Sequence, residues 1–278
     1  MGWPPREPNL VLPEGRPALM GILNVTPDSF SDGGLHLDPE LAVAAGRQMV
    51  ADGADLVDVG GESTRPGAEP VTEAEELRRV VPVVQALCAE GIRVSIDTTK
   101  PVVAEACLAA GAVVLNDVTG FQNPELREVC ARFGATACIM HMQGEPRTMQ
   151  SNPSYDDVVG EVAAYLGAQA QLVQAAGVRK VWVDPGIGFG KTTAHNLALL
   201  RHMGAFTALG YPVLIGLSRK AFLGRILGTE AEPLPTSERE EATLAVNLFA
   251  AAHGARILRV HNVRGHARAL RAWRALTD

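Results

Sequence analysis

Residues 94–117 read Val94-Ser95-Ile96-Asp97-Thr98-Thr99-Lys100-Pro101-Val102-Val103-Ala104-Glu105-Ala106-Cys107-Leu108-Ala109-Ala110-Gly111-Ala112-Val113-Val114-Leu115-Asn116-Asp117. Val94–Asp97 is a short apolar run that ends on a carboxylate. Pro101–Ala110 is an Ala-rich helical stretch with Pro at its first position and Gly111 as its stop. Val113–Asn116 is apolar again and ends on an amide. Strands this short and this uniformly apolar suit parallel neighbours covered by helices, not a sheet with one wet face.

The same unit recurs in both directions. Further strand candidates are Leu19–Asn24, Asp55–Val59, Thr136–Met140, Val181–Asp184, Val213–Leu217 and Ile257–Val260. Between them lie helical stretches at Pro39–Asp52 (behind the N-cap Asp38), Thr72–Glu90, Pro124–Phe133, Ser154–Ala176, Ala194–Leu209, Arg219–Leu227, Glu238–His253 and Val263–Leu276. This alternation predicts the α/β class and a single-domain (β/α)8 TIM barrel over residues 1–278, with a short lead-in at 1–18. A doubly wound open sheet is the alternative, and it leaves two sheet edges.

Composition narrows the function. Hydrophobic residues make up 47% of the 278 and charged residues 20%, a globular balance. The net charge of −6 and a pI near 5.7 argue against a nucleic-acid binder, which carries a basic excess. No apolar run approaches the length of a membrane span, and Met1–Arg6 shows neither a signal-peptide core nor a myristoylation pattern, so a cytoplasmic location is expected. Cys88, Cys107, Cys130 and Cys138 lack zinc or CxxC spacing and read as buried, reduced thiols.

Chemistry in such a barrel gathers at the C-terminal strand ends. Most apolar runs here end on a polar group: Asn24, Asp58, Asp97, Asn116-Asp117, His141, Asp184, Ser218-Arg219-Lys220, and Arg259 with His261. Asp97, Asn116, Asp184 and Lys220 suit a flat heterocycle with donors and acceptors on its edge, because a carboxylate accepts two parallel N–H bonds. Asn24, Thr64, Arg65, Arg259 and His261 suit an anion such as a phosphate, and Asn24 also offers a carbonyl oxygen to a hard metal. A rim salt bridge is the plainer reading of Arg259, and a place beside a helix cap that of His261. Two long loops, Thr26–Gly34 and Gly60–Ala68, sit where lids over a substrate would sit. Asp184–Thr192 fails the Walker phosphate-loop pattern, since Pro185 stands where Gly is needed. It reads as a tight turn that brings backbone and Phe189 close to a ligand.

Taken in order, Gly21–Gly34, Asp58–Gly67, Asp97–Lys100, Asn116-Asp117, His141–Gly144, Asp184–Lys191, Ser218–Lys220 and Arg259–His261 resemble the dihydropteroate synthase family of the folate pathway. The resemblance spans about residues 19–275 and implies a barrel enzyme that joins 6-hydroxymethyl-7,8-dihydropterin diphosphate to p-aminobenzoate, releasing pyrophosphate. It implies that Asp97, Asn116, Asp184 and Lys220 hold the pterin, with Met140 and Phe189 beside it and Arg259 over the ring. Asn24, Thr64, Arg65, Arg259 and His261 would hold the diphosphate with Mg²⁺. Phe30, Thr64, Arg65, Pro66, Phe189, Lys220 and Ala221 would form the p-aminobenzoate site. Ala221 stands where a Ser is often found, which removes a hydroxyl and leaves helix N–H groups for the carboxylate. The mostly apolar stretch Glu238–His253 is a candidate contact of a homodimer, which the family likeness favours; a helix buried between neighbours in the barrel wall is the alternative.

An aniline nitrogen needs no base to expose its lone pair, so the hard step is departure of the diphosphate. A dissociative path is expected, with Asp32, Arg65, Lys220, Arg259 and His261 as the catalytic set and Asp32 steadying a pterin cation. A pterin-dependent methyltransferase is the runner-up; it has no need of an anion cluster. A non-catalytic pterin binder is the third reading.

Overall fold

The computed structural model describes residues 11–26, 38–63, 70–145 and 148–277. The strands are β1 (Ala18–Asn24), β2 (Leu56–Gly60), β3 (Val94–Asp97), β4 (Val114–Asp117), β5 (Thr136–Met140), β6 (Lys180–Asp184), β7 (Val213–Ile215) and β8 (Ala255–Val260). Every neighbour pair is parallel, and β8 returns to pair with β1, so the sheet closes into a barrel with no edge. This is the (β/α)8 barrel, and the open-sheet alternative falls.

The helices are α1 (Pro39–Ala51), α2 (Glu73–Ala89), α3 (Pro101–Ala109), α4 (Pro124–Phe133), α5 (Val158–Ala175), α6 (Thr193–Arg201), α7 (Met203–Thr207), α8 (Ala221–Leu227), α9 (Glu240–Ala252) and α10 (Val263–Thr277). Local chemistry sets most ends. The Asp38 carboxylate accepts from Glu40 N–H, and Pro39 fills the first helical position. Thr72 caps α2, Asn123 caps α4, and Gly134 stops α4 in the left-handed conformation. Among the described residues, no helix is long and apolar enough to cross a membrane.

Four expected helices differ. The stretch Ala194–Leu209 is two helices, broken at His202, whose Nδ1 lies 2.8 Å from the Ala198 carbonyl oxygen. Beyond the break, Met203 and Phe206 enter the core. The start expected at Arg219 moves to Ala221, because Arg219 sits at φ +60°. The start expected at Ser154 moves to Val158, where Asp157 is the cap. A short 3₁₀ turn, Thr236–Glu238, precedes α9 and delays its start to Glu240.

Strand alternation sorts the barrel into two cores. Leu23, Val57, Val59, Ile96, Leu115, Ile139, Val183, Ile215 and Leu258 point outward to the helices. Ala18, Met20, Leu56, Val114, Cys138, Trp182, Leu214 and Ile257 fill the interior. Two residues further along, the same inward parity delivers Asp58, Asn116, Met140, Asp184, Gly216 and Arg259. An apolar plug is thus followed, one layer up, by a polar floor at the C-terminal mouth.

Helix α9 carries polar groups into the barrel wall. Its inner face buries Thr243 and Asn247, with Ala250 and Ala251, while Ala245, Ala252 and a 41% exposed Phe249 face outward. Arg219 N–H donates to Thr243 Oγ1, and Asn247 Nδ2 lies 2.8 Å from His266 Nε2, while the buried Asn247 Oδ1 has no hydrogen-bond partner among the described residues.

Candidate active site

Register carries the polar residues around the mouth. Asn24 aligns with Gly60, Gly60 with Asp97, Asp97 with Asn116, and Met140 with Asp184. Arg259 enters from β8 and joins the first half of this ring. Its Nε donates to Asp58 Oδ2 at 2.6 Å and its Nη2 to Asp97 Oδ2 at 2.7 Å. Asn116 Nδ2 donates to the same Asp58 oxygen at 3.1 Å. Asp58 is fully buried, and its Oδ1 has no hydrogen-bond partner. Two carboxylates share one guanidinium in a dry place. Burial pushes the Asp97 carboxyl up to about 7, against the pull of Arg259 and with the help of Asp58. The rim salt bridge read as the plainer role of Arg259 is therefore present. The Arg259 side chain is still 21% exposed.

The other half of the ring is built around Asp184. Its Oδ1 accepts from Gly186 N–H at 2.7 Å. A Cβ on Gly216, the next interior position around the barrel, would lie 3.7 Å from Oδ2 and 3.8 Å from the Arg259 stem. Glycine there keeps the space between the two groups open. Burial raises Asp184 to about 6, while the Gly186 N–H and the cations Lys220, Lys191 and Arg259 act the other way. Met140 and Phe189 form an apolar wall with Val118 and Met149. Lys220 Nζ lies 3.7 Å from the centre of the Phe189 ring. His261, just past β8, has its Nδ1 2.9 Å from Ser218 Oγ, which ties it to the turn that carries Lys220.

The turn after β6 is tight, as expected. Phe189 N–H donates to the Gly186 carbonyl, and Gly186, Gly188 and Gly190 all have positive φ. A Cβ on Gly186 would drive into the His141 carbonyl oxygen, and one on Gly190 into that of Gln143. These glycines let the loop after β6 lie directly on the loop after β5.

The structure brings together Asn24, Asp97, Asn116, Met140, Asp184, Phe189, Lys220, Arg259 and His261 at one end of the barrel, and Ala221 opens α8 beside Lys220. Phe30, Asp32, Thr64, Arg65 and Pro66 lie outside the described residues. The sequence reading gave no role to Asp58, to His141 or to Lys191. Asp58 and His141 were visible as polar strand ends. Lys191 carried no signal beyond its place in the turn, and it is the most unusual of the three: its side chain is 1% exposed. Asp117 takes the plain role of a turn former, accepting from Thr119 and Phe121 N–H.

Residues 20–261 match the family of pterin binding enzymes. The dihydropteroate synthase of Neisseria meningitidis serogroup C is 46% identical over 268 residues, which cover 94% of this chain and 93% of its own. The solved structure of Xanthomonas albilineans dihydropteroate synthase with 4-aminobenzoic acid is similar at a TM-score of 0.87 and 45% identity, over 94% and 93% of the two chains. The same Xanthomonas enzyme in complex with 7,8-dihydropteroate gives a TM-score of 0.84 at 43% identity, over 94% of each chain. With identity this high over nearly its whole length, the chain belongs to the dihydropteroate synthase family of pterin-binding enzymes.

Proposed function

We propose that the chain condenses 6-hydroxymethyl-7,8-dihydropterin diphosphate with p-aminobenzoate to give 7,8-dihydropteroate and pyrophosphate. The observation that carries this is the buried Asp184, with one oxygen held by Gly186 N–H and the other on the open Gly216 side, beside the Met140–Phe189 wall. In our reading its open side takes the paired N–H donors of the pterin, while Asn116, Asp97 and Lys220 complete the edge and Arg259 covers the ring. The C–O bond to diphosphate breaks with its electron pair on the leaving oxygen. The arylamine nitrogen then bonds to the exocyclic carbon and sheds a proton. Arg259 and His261, with Thr64 and Arg65 of the second loop, take the leaving charge. Asp32, Phe30 and Pro66, with Phe189, Lys220 and Ala221, serve the second substrate and the developing cation.

The donor set fits Mg²⁺ as a companion of the substrate. Among the described residues no group of three His, Cys, Asp or Glu could hold a metal, and Asn24 offers one neutral oxygen on the rim. A hard ion held chiefly by diphosphate and water needs no more from the protein. When bound, it would neutralise charge on the departing diphosphate. A cytoplasmic setting fits the same biosynthetic reading.

The test is pyrophosphate release. It is expected only with the pterin diphosphate present, and in proportion to p-aminobenzoate. Methyl transfer from a reduced folate, with no such release, would sink the reading in favour of the runner-up.

The outward apolar face of α9 supports a homodimer. Burying the 41% of Phe249 that is exposed, with its neighbours, against a second copy would stabilise association by about 1 kcal/mol for each ring covered. Light scattering at micromolar concentration is expected to give twice the chain mass, and Phe249→Glu to give a folded monomer. A wild-type mass of one chain would refute the dimer.

A further inference from the structure

Lys191 is a buried cation whose partners, among the described residues, are all neutral. Its Nζ lies 2.9 Å from His141 Nδ1, 2.9 Å from the Phe189 carbonyl oxygen and 3.4 Å from the His141 carbonyl oxygen. An ammonium has three donors and no acceptor, so these contacts use all three, and His141 keeps its proton on Nε2. The His141 backbone N–H in turn donates to the Asp184 carbonyl oxygen at 3.0 Å. One side chain thus joins the loop after β5 to the loop after β6, directly behind Asp184 and Phe189.

A lysine without a bonded carboxylate is costly to bury, and a neutral residue would fill the space more cheaply. We infer that Lys191 is a positioning residue for pterin recognition, tied to the His141 and Phe189 carbonyls so that its charge keeps Asp184 an acceptor-only carboxylate. This rests on the proposed function. The two groups act on each other: Asp184 raises Lys191, and Lys191 lowers Asp184. Burial nonetheless brings Lys191 down to about 7 and, with Lys191 beside it, His141 down to about 3, so His141 stays neutral across the working range. The other ionisable groups facing this pair are Lys220 from the turn after β7, Arg259 from β8, Cys138 from β5 and Tyr165 from α5, with Tyr155 before α5 and His195 on α6 further out. Lys220 and Arg259 are present in every variant below, so the comparison isolates Lys191.

The experiment is calorimetric binding of 6-hydroxymethylpterin between pH 5 and 8, for wild type, Lys191→Met and Lys191→Gln. In wild type, affinity falls as pH drops through about 6, where Asp184 takes a proton. Removing the nearby positive charge raises that carboxyl, so the acid limb moves up by about half a unit to one unit in both variants. The loss is then about two- to fivefold at pH 6, about three- to tenfold at pH 5, and small at pH 8, where wild-type Lys191 has itself largely lost its proton. Gln retains donors for the two carbonyls and keeps the test valid if Met loosens the loops. The pterin's own titration is common to all three proteins. An unmoved limb, or a loss equal at every pH, overturns the inference and leaves Lys191 a strut. Wild type that binds no pterin at any pH overturns the proposed function instead.

Discussion

Asp184→Asn is expected to bind the pterin at least about a hundredfold more weakly than wild type while remaining folded. An asparagine can keep only one oxygen. Gly186 N–H already donates to Oδ1, and that bond keeps the amide oxygen where it is. The NH₂ must then occupy the Oδ2 position, on the open side by Gly216. A donor there faces the pterin's own N–H groups. The site loses a charge-assisted bond worth roughly 1.5–3 kcal/mol and gains an unsatisfied donor pair costing roughly 1–3 kcal/mol, which together come to about two to four powers of ten.

Stability should move the other way. Because burial raises Asp184 to about 6, the native state holds a proton there that the unfolded chain has already released, and stability falls as pH rises through that window. The neutral amide removes this penalty, so the variant should melt no lower than wild type at pH 8. Calorimetry showing unchanged pterin affinity in the folded variant would remove Asp184 from the site.

Sequence pattern revealed the barrel because every strand is short, inward and outward residues alternate, and capping residues such as Asp38, Thr72 and Asn123 mark where helices begin. It revealed half of the site for the same reason: an inward polar residue one layer above an apolar plug stands at a strand end. Pattern is blind to what partners such a residue. Arg259 meets Asp58 across 201 positions and Asp97 across 162, and no local spacing encodes that. Nor does it encode depth. A lysine in a glycine-rich turn reads as a surface group, and only closure of two loops onto each other buries Lys191. The helix expected from Ala194 to Leu209 ran through His202 because apolar spacing continues across the break. Arg219 resembled a helix start because nothing in its side chain announces a positive φ.

The largest loss of stability is expected from Arg259→Met. The thioether replaces the stem but leaves Asp58 and Asp97 without their shared cation. Asp58 is wholly buried, and its Oδ2 would keep only the Asn116 amide. Removing one partner from a buried ionic cluster costs roughly 3–5 kcal/mol, against about 1 kcal/mol for an exposed pair. For a chain of this size that lowers the urea midpoint by about 1 M or more at pH 8. The sign of the pH dependence follows from the carboxyls. With the guanidinium gone, the native state must hold at least one proton on this pair to higher pH than wild type does, where Asp97 already stands near 7. Between that pH and the ordinary carboxylate range near 4, the native state binds more protons than the unfolded chain, so stability declines as pH rises. The deficit of the variant should therefore be smaller at pH 5 than at pH 8. Adding Asp58→Asn should return much of the lost midpoint, because one of the two uncompensated charges is gone. It should not return turnover, since the cation proposed to cover the pterin and receive the diphosphate is still absent. A single variant that unfolds like wild type at pH 8 would mean that the carboxylates are not held by Arg259. A double variant that regains turnover would mean that the guanidinium serves the fold and not the chemistry.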